Sequence, residues 1–406
     1  MSSGDFSPTA DRRRAIGFLN WAHAVDHYVL LIFPTAVLSL EAFYGRSYAE
    51  LIALSTPCFV AFGLFSLPAG WLADRWSRRN MMALFYAGCG LSLVAAAFAP
   101  NLVMLAIALF LLGVFAAIYH PVGMAMLIEA SQARGRTLAF NGVCGNLGAA
   151  LAAGITAALV SWFGWRSAFL VPAALCLATA VLFLRTVPDD RHQIGQRESV
   201  PAVQLTPRMA FMLFGLFIVV ALTAGLIFNA VTVALPKIVE ERLGENVTLL
   251  AVGGLATAVF ICGAAAQLAV GRLVEWIAPH LLLMLVAAVG LVGILWAAMT
   301  SGPALMVALA LVMASIYGQV TLNDMVIARY SADAWRGRVY AVRYFLLFVS
   351  AGVAVAMIAR FHQEGGFQLV LLVTAAVTFV FLLAVIGVAV LASVARPRQS
   401  AAQPAE

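Results

Sequence analysis

The feature that most constrains this chain is the repetition of apolar stretches of about 20 residues, the length at which a helix crosses the hydrocarbon core of a bilayer. Short polar breaks separate these stretches along all 406 residues. Only 10% of the residues are charged and 64% are hydrophobic, whereas a soluble domain carries about 25% charged residues. A single water-soluble core is therefore excluded. The alternating segments of about ten residues that are typical of membrane β-barrels do not occur.

We predict an all-α membrane protein, because a helix satisfies its backbone hydrogen bonds within one apolar segment. The twelve predicted transmembrane helices span residues 15–39, 49–72, 80–99, 102–128, 137–160, 166–184, 209–238, 247–272, 279–299, 303–328, 338–360 and 367–394. The longest polar stretch, 185–208, separates an N-terminal six-helix bundle (1–184) from a C-terminal six-helix bundle (209–406), and we expect it to form a central cytoplasmic loop.

An internal repeat indicates that the two bundles are pseudo-symmetric halves. Pro34 recurs as Pro236, and the Arg-Gly-Arg of 134–136 recurs at 336–338, in both cases 202 residues further along the chain. Each half holds an even number of spans, so the halves are parallel repeats. Transporters built from such repeats have a central site at the interface between them.

The basic residues predict the orientation. If the N-terminus lies in the cytoplasm, eighteen arginines fall on the cytoplasmic side and five basic residues on the opposite side. Because cytoplasmic loops carry an excess of Lys and Arg, we expect a multi-pass protein of the cell inner (plasma) membrane with both termini in the cytoplasm. This topology also explains the net charge of +6, so we expect a lipid bilayer and not nucleic acid as the partner of these charges.

The loop after the second predicted span reads "GWLADRWSRRN". It resembles the loop signature of the major facilitator superfamily, with matches at Gly70, Asp74, Arg75, Arg78 and Arg79. The resemblance implies the major facilitator fold, transport of a small molecule, and a conformational latch, because in the family this loop holds the two halves in the outward-open state. The alternative is a plain positively charged cytoplasmic loop.

Two further stretches resemble the fosmidomycin-resistance-type branch of that superfamily. The branch carries Tyr/Phe-His-Pro in span four and Gly-Asn-Leu-Gly in span five, matched here at 119–121 and 145–148. A His…Asp pattern in span one, within "WAHAVDHYVLLIFP" (21–34), also fits the branch. Many drug antiporters carry an Arg in span four and a Gly-Pro in span five. This chain has Leu109 and the pair 152–153 of alanines there, which weakens the case for a multidrug exporter.

The ionisable residues of spans one and four are the candidates for proton coupling. At 1.5 Å per residue, Asp26 lies about 15 Å and His120 about 12 Å from the cytoplasmic ends of their spans. His23 and His27 share a helix face that Asp26 borders. An ionisable group at such depth marks a functional site by default, and histidine titrates near neutral pH. We predict that Asp26 carries the coupling proton and that the three histidines tune it. The alternative is a static polar network that packs the two spans together.

Asp324 and Arg343 form a possible counterpart in the C-terminal half. Each lies about five residues from the cytoplasmic end of its span, which places it about 7–8 Å inside the boundary. We predict that they form a cytoplasmic gate that closes the exit. The alternative is a fixed buried pair.

Uncharged polar side chains within the spans are candidates for the substrate cavity. Each of these side chains can instead form a hydrogen bond between two helices. The candidates are Tyr119, Asn146, Asn229, Gln267, Gln319 and Asn323.

The chain has no Walker loop, which argues against direct drive by ATP, and no Cys/His cluster with zinc spacing. We therefore expect no cofactor, no metal site and no enzymatic activity. The predicted function is secondary active transport of a small-molecule substrate by alternating access, as proton-coupled efflux performed by a monomer. One alternative is a proton-coupled importer of a small organic solute. A second is a membrane sensor or assembly protein of the same fold that does not transport.

Overall fold

The structure is a computed structural model that describes residues 8–131, 134–188, 207–244, 247–330 and 333–394. The described residues form α-helices and one π-helical turn. The helices are α1 (Pro8–Tyr44), α2 (Tyr48–Ala53), α3 (Thr56–Arg75), α4 (Arg78–Ala97), α5 (Leu102–Ala116), α6 (Met124–Ala130), α7 (Arg134–Phe163), α8 (Ser167–Thr186), α9 (Pro207–Leu243), α10 (Leu249–Leu273), α11 (Pro279–Met299), α12 (Pro303–Tyr330) and α13 (Asp333–Val394), and the π-helical turn is Tyr119–Gly123. Most of the predicted central loop, 189–206, lies outside the described residues.

Twelve membrane crossings follow from these helices. In the described ranges, 11 helical runs are long and apolar enough to cross a membrane. The last run, Phe345–Leu391, has 47 residues, more than twice the roughly 20 that one crossing needs. Gly365 and Gly366 leave the helical conformation inside it, and Gly366 adopts a φ of 61°, a value that glycine adopts readily. This break divides the run into two crossings, so the prediction of an all-α protein with twelve spans is confirmed.

The predicted limits of several spans were wrong. The helices of the first and seventh spans, α1 and α9, each have 37 residues. Their charged ends continue the helix beyond the apolar part that hydropathy detects. Span four is not one continuous α-helix, since a π-helical turn at Tyr119–Gly123 separates α5 from α6. Pro121 lies in that turn. Proline has no N–H and clashes with the preceding turn, so it disturbs a regular α-helix, and here the disturbance takes the form of a π-helical turn.

The outer surface of the bundle suits a bilayer. Every membrane-crossing run carries large apolar side chains that are exposed, which is the arrangement expected for contact with lipid tails. Five exposed tryptophans lie near helix ends, where aromatic rings favour the boundary between membrane and water. They are Trp71, Trp76, Trp162, Trp276 and Trp296.

Two pairs of helices form the most extensive contacts between the halves. The N-terminal helices α7 and α3 pack against α10 and α13 of the C-terminal half, respectively. A Cβ atom on Gly63 of α3 would lie 2.8 Å from the backbone nitrogen of Val349, and one on Gly352 of α13 would lie 2.4 Å from the side chain of Val60. These glycines therefore permit a backbone approach that a larger residue would block.

We call the face at which α1 begins the inner face, since the arginine distribution predicts it to be cytoplasmic, and the opposite face the outer face. At the outer face the halves are in contact. Lys237 near the end of α9 forms an ion pair with Glu41 near the end of α1. The ring of Tyr48 at the start of α2 contacts the ring of His362 in α13.

Candidate functional site

Three histidines and one aspartate meet in the middle of the N-terminal half. The Nε2 atoms of His23 and His27 lie 3.2 Å apart on the same face of α1. The ring of His120, which belongs to the π-helical turn, lies with its centroid 5.4 Å from that of His23 and 5.8 Å from that of His27. Residues that are about 100 positions apart in sequence are thus brought into one cluster, which we call the histidine cluster: His23, Asp26, His27 and His120.

Asp26 is the most enclosed member of the cluster, with 0% of its surface exposed. Its Oδ2 atom lies 3.4 Å from Nε2 of His120, which allows an ion pair when the imidazole is protonated. Within the part of the chain that the structure describes, neither carboxylate oxygen of Asp26 meets the geometry of a hydrogen bond. A permanently charged carboxylate in this position would be costly, so the arrangement suits a group that binds a proton in part of its working cycle.

Asn141 of α7 sets the orientation of His23. Its backbone oxygen accepts a hydrogen bond of 2.8 Å from Nδ1 of His23. A carbonyl can only accept, so Nδ1 carries the hydrogen, and in a neutral ring Nε2 then has the lone pair. The Nε2–H of His27 can donate to that lone pair. The result is a chain of polar contacts from Asn141 through His23 to His27.

The side chain of Asn141 ties the same region together. Its Nδ2 donates to Oδ1 of Asn20 at 3.0 Å, and its Oδ1 accepts from the hydroxyl of Tyr119 at 3.0 Å. Asn141 is buried with 1% of its surface exposed. The sequence analysis did not identify this residue as part of the site. The available signal was an amide in an apolar segment, one helical turn before the Gly-Asn-Leu-Gly stretch.

The Gly-Asn-Leu-Gly stretch explains how α7 approaches α1 so closely. A Cβ atom on Gly145 would lie 2.5 Å from Nε2 of His23, and one on Gly148 would lie 2.0 Å from the backbone oxygen of Ala24. The two glycines make room for the histidine ring and for the backbone of α1. Their role in this structure is therefore to permit close helix packing next to the histidine cluster.

The Tyr-His-Pro stretch forms the opposite wall. The ring of Tyr119 stacks on that of His23, with centroids 4.9 Å apart and an interplanar angle of 26°. A Cβ atom on Gly123 would lie 2.8 Å from the ring of Tyr119, so Gly123 leaves space for this ring. Tyr119 has 0% exposure, so in this conformation its ring is part of the wall that encloses the histidine cluster.

The histidine cluster reaches the interface between the halves through aromatic rings. The ring of Phe348, from α13, has its centroid 4.9 Å from that of His120 and 4.8 Å from that of Phe62 in α3. A movement of one half against the other would therefore change the surroundings of His120 directly.

The predicted cavity residues have different surroundings. Asn146 donates from Nδ2 to Oε1 of Gln267 at 2.5 Å, and Gln267 donates to Thr321 at 3.0 Å, so this chain of hydrogen bonds crosses the interface. Gln319 and Asn323 are buried in α12, with 3% and 4% of their surfaces exposed.

Asn229 donates to the backbone oxygen of Gly225 in its own helix at 2.8 Å. Its amide is thus engaged within α9 and does not bridge two helices through this bond. The role of all these residues in binding a substrate stays a prediction.

Asp324 and Arg343 are in contact. The guanidinium group donates to Oδ1 of Asp324, and the Arg343 residue is 7% exposed. The pair joins α12 to α13, which are both in the C-terminal half. The pair is formed in a conformation in which the outer ends of the two halves are in contact. Its role as a gate stays a prediction.

The predicted latch residues make their contacts within the N-terminal half. Arg78 donates to Asp74 at 2.8 Å and to Glu129 in α6. The guanidinium of Arg75 lies 4.2 Å from the ring centroid of Trp71. Arg79 donates from Nε to the backbone oxygen of Val187 at 2.6 Å, at the C-terminal end of α8.

Gly70 lies close to the π-helical turn, against which α3 packs. A Cβ atom on Gly70 would lie 3.3 Å from the Cβ of Pro121. The loop of 70–80 and the turn that carries His120 are therefore neighbours, and the role of the loop as a latch stays a prediction.

The three histidine rings also have the spacing of a possible metal site. One nitrogen from each of His23, His27 and His120 lies within 4.8 Å of the others. Imidazoles at this distance can share protons or hold a transition metal. The prediction that the chain has no metal site stays a prediction.

A family model described as Major Facilitator Superfamily matches residues 16–355. The chain belongs to the major facilitator superfamily. The chain is therefore a multi-pass membrane protein, and the resemblance seen in the loop of 70–80 is confirmed at the level of the superfamily.

Curated relatives resemble about half of the chain. A gallate transporter of Pseudomonas putida is 27% identical over 209 residues, which cover 48% of this chain and 46% of the relative. A multidrug resistance protein B homolog of Mycobacterium tuberculosis is 28% identical over 205 residues, 50% of this chain and 38% of the relative. The chain thus spans about half or less of the length of these relatives.

Solved structures match nearly the whole chain in fold. A D-xylose-proton symporter superposes with a TM-score of 0.72 at 14% identity, covering 93% of this chain and 97% of the other. A bacterial homolog to the human lysosomal transporter Spinster, in an inward-facing and occupied conformation, gives a TM-score of 0.71 at 13% identity, with 94% and 95% covered. At these identities the likeness shows the fold.

Proposed function

We propose that this chain is a secondary active transporter that moves a small organic solute by alternating access, in proton-coupled efflux. Superfamily membership and the fold support the transport mechanism. The named relatives are transporters, which agrees with the expectation that the chain is not an enzyme. The proposal includes an inner-membrane location with both termini in the cytoplasm, and a working monomer.

The observation that carries proton coupling is the contact between Asp26 and His120. Asp26 is fully enclosed in α1, and the imidazole 3.4 Å away is the one charged partner that the described contacts give it. When Asp26 is protonated, the site holds no uncompensated charge. When it is ionised, a protonated His120 can balance it. The next histidines, His27 and His23, lie along α1 towards the inner face and can share a proton between their Nε2 atoms.

The interface position couples this proton to movement. Phe348 of the opposite half contacts the ring of His120, so rocking of the halves changes access of water to His120 and Asp26. The hydrogen bond between Asn146 and Gln267 crosses the same interface and would break as the halves separate. A solute that replaces this bond would stabilise the separated arrangement.

Substrate-dependent proton movement tests this proposal. Purified protein in proteoliposomes with a trapped pH indicator should change the internal pH when substrate is added, and Asp26→Asn should abolish the change. A thermal-shift screen against metabolites and antibiotics supplies the substrate. If a stabilising ligand produces no proton movement with the wild type, a sensor or assembly protein of the same fold becomes the better account.

Proton-coupled import is the second candidate. Relatives named as a gallate transporter and a probable 4-methylmuconolactone transporter agree with a small organic solute; the latter is 28% identical over 254 residues, with 59% of this chain and 56% of the relative covered. The residues Leu109 and 152–153, where drug antiporters differ, favour import. Counterflow and pH-driven uptake in vesicles of both orientations distinguish import from efflux.

Membership in the fosmidomycin-resistance-type branch is part of the proposal. It rests on the Tyr-His-Pro and Gly-Asn-Leu-Gly stretches, which in this structure build two walls of the histidine cluster. Resistance to fosmidomycin conferred by expression in a sensitive bacterium would support the branch, and unchanged sensitivity would argue against it.

A further inference from the structure

A second group of charged side chains lies on the outer face, where α1, α2, α9 and α13 meet. We call it the outer cluster, and it consists of Glu41, Tyr48, Lys237, Glu240, Glu241 and His362. Lys237 is the only lysine in a chain with 24 basic Lys and Arg residues. The transport site does not use any of these residues.

Lys237 is the centre of the outer cluster. Its Nζ lies 2.5 Å from Glu41 in the N-terminal half, and 2.6 Å from Glu240 and 3.6 Å from Glu241 in its own helix. Only 7% of Lys237 is exposed. A charge this enclosed depends on its partners, and one of those partners belongs to the other half. The ion pair between Lys237 and Glu41 therefore holds the outer ends of the halves together.

His362 makes a second connection across the halves. Its Nε2 lies 2.9 Å from Oε1 and 3.2 Å from Oε2 of Glu241. Its ring packs against Tyr48 of the N-terminal half, at 5.0 Å between centroids, and against Phe367, at 4.6 Å. Lys237 lies 5.5 Å from the centre of the same Tyr48 ring, a position that favours a cation.

The charges in the outer cluster do not balance without His362. Three carboxylates face one ammonium group, which leaves two excess negative charges when the imidazole is neutral and one when it is protonated. The other basic groups nearby make their hydrogen bonds outside the cluster, although the charge of Arg242 also attracts Glu241. Arg360 pairs with Glu364 on its own helix, and Arg242 donates to the backbone oxygens of Ala297 and Ala298.

We propose that the outer cluster is a pH-sensitive lock of the outer face, with His362 as its switch. Protonated His362 neutralises Glu241, so Lys237 is shared between Glu240 and Glu41 and the halves stay together. Neutral His362 leaves Glu241 to compete for Lys237, and the excess negative charge repels Glu41 of the other half. Imidazole is the side chain whose charge ordinarily changes between about pH 5 and about pH 8. External acid therefore closes the outer face, and external alkali releases it.

Distance measurements between spin labels test the lock. Labels at Trp162→Cys and Met299→Cys, on the outer ends of the two halves, are placed in a protein whose five native cysteines are replaced. Electron paramagnetic resonance then gives the open and closed populations of the whole chain between about pH 5 and about pH 8. In the wild type the ratio of the open to the closed population should rise about two- to fivefold as the pH increases. This is the range expected for the loss of one partly exposed ion pair.

His362→Gln should remove this pH dependence, because glutamine keeps a polar contact with Glu241 but does not titrate. Glu241→Gln should also remove it and serves as the second variant if the first folds poorly. The matched control is His280→Gln at the inner end of α11, which should behave as the wild type. A wild type without pH dependence, or an unchanged dependence in both His362→Gln and Glu241→Gln, would overturn the lock.

The central site is separated from the lock by one further variant. Asp26→Asn removes the proposed proton carrier, and the shift that depends on His362 should persist in it. If Asp26→Asn abolishes the shift while His362→Gln does not, the pH dependence belongs to the histidine cluster and the lock is rejected.

Discussion

Substitution of Gly148 by alanine tests whether close packing of α1 on α7 builds the histidine cluster. The new Cβ would lie 2.0 Å from the backbone oxygen of Ala24, whereas ordinary van der Waals contact begins at 3.4 Å. The helices must therefore separate by about 1.4 Å. Overpacking of this kind destabilises by about 1–3 kcal/mol, while alanine in place of glycine favours the helix by about 1 kcal/mol. We expect a net loss of up to about 2 kcal/mol.

The matched control is Gly142→Ala, in the same helix and six residues earlier, where a Cβ would have nothing within 4 Å. There only the helix preference acts, and we expect a gain of about 0.4–1 kcal/mol. Thermal unfolding of the purified protein in detergent should thus shift in opposite directions for the two variants. Equal shifts in the same direction would refute the argument from the Gly-Asn-Leu-Gly stretch.

Three further predictions concern the charged groups and the topology. Asp324→Asn and Arg343→Gln should each increase the reactivity of a cysteine on the inner face. The double variant should have a smaller effect than the two single effects added together, because no charge is left without a partner. Additivity within about 0.5 kcal/mol would mean that the residues do not interact. A metal chelator should leave transport unchanged. If the chelator instead abolishes transport and added Zn²⁺ restores it, the three histidines form a metal site. Cysteines introduced at positions 195 and 400 should resist an impermeant reagent added to intact cells, and rapid labelling would reverse the predicted orientation.

The fold could be predicted from hydropathy because the bilayer requires one long apolar helix per crossing. The helix limits could not, since α1 and α9 continue through charged residues that a helix tolerates outside the hydrocarbon core. The break at Gly365 and Gly366 was predicted as the polar gap between spans eleven and twelve. The π-helical turn was not predicted, because Pro121 within a helix is compatible with a kink, a break or a π turn, and the surrounding packing selects among them.

The candidate site was predictable where the depth of an ionisable residue is informative. Asp26 and His120 could be placed at similar depths by counting residues, and the structure brings them to 3.4 Å. Asn141 and the outer cluster were not predicted. Glu41 and Lys237 are 196 residues apart and Glu241 and His362 are 121 apart, so only the three-dimensional packing of the helices reveals these pairs.

The most direct test of the central claim is transport by Asp26→Asn in proteoliposomes, measured with an imposed pH gradient and, separately, as counterflow without one. Asn mimics the protonated carboxyl group. The variant should therefore lose accumulation of substrate against its gradient while keeping exchange, which needs no net proton movement. Asp11→Asn, the same change near the inner end of α1, should retain both activities. If Asp26→Asn still concentrates substrate at the wild-type rate, Asp26 does not carry the coupling proton and the histidine cluster is a packing network or part of the substrate site.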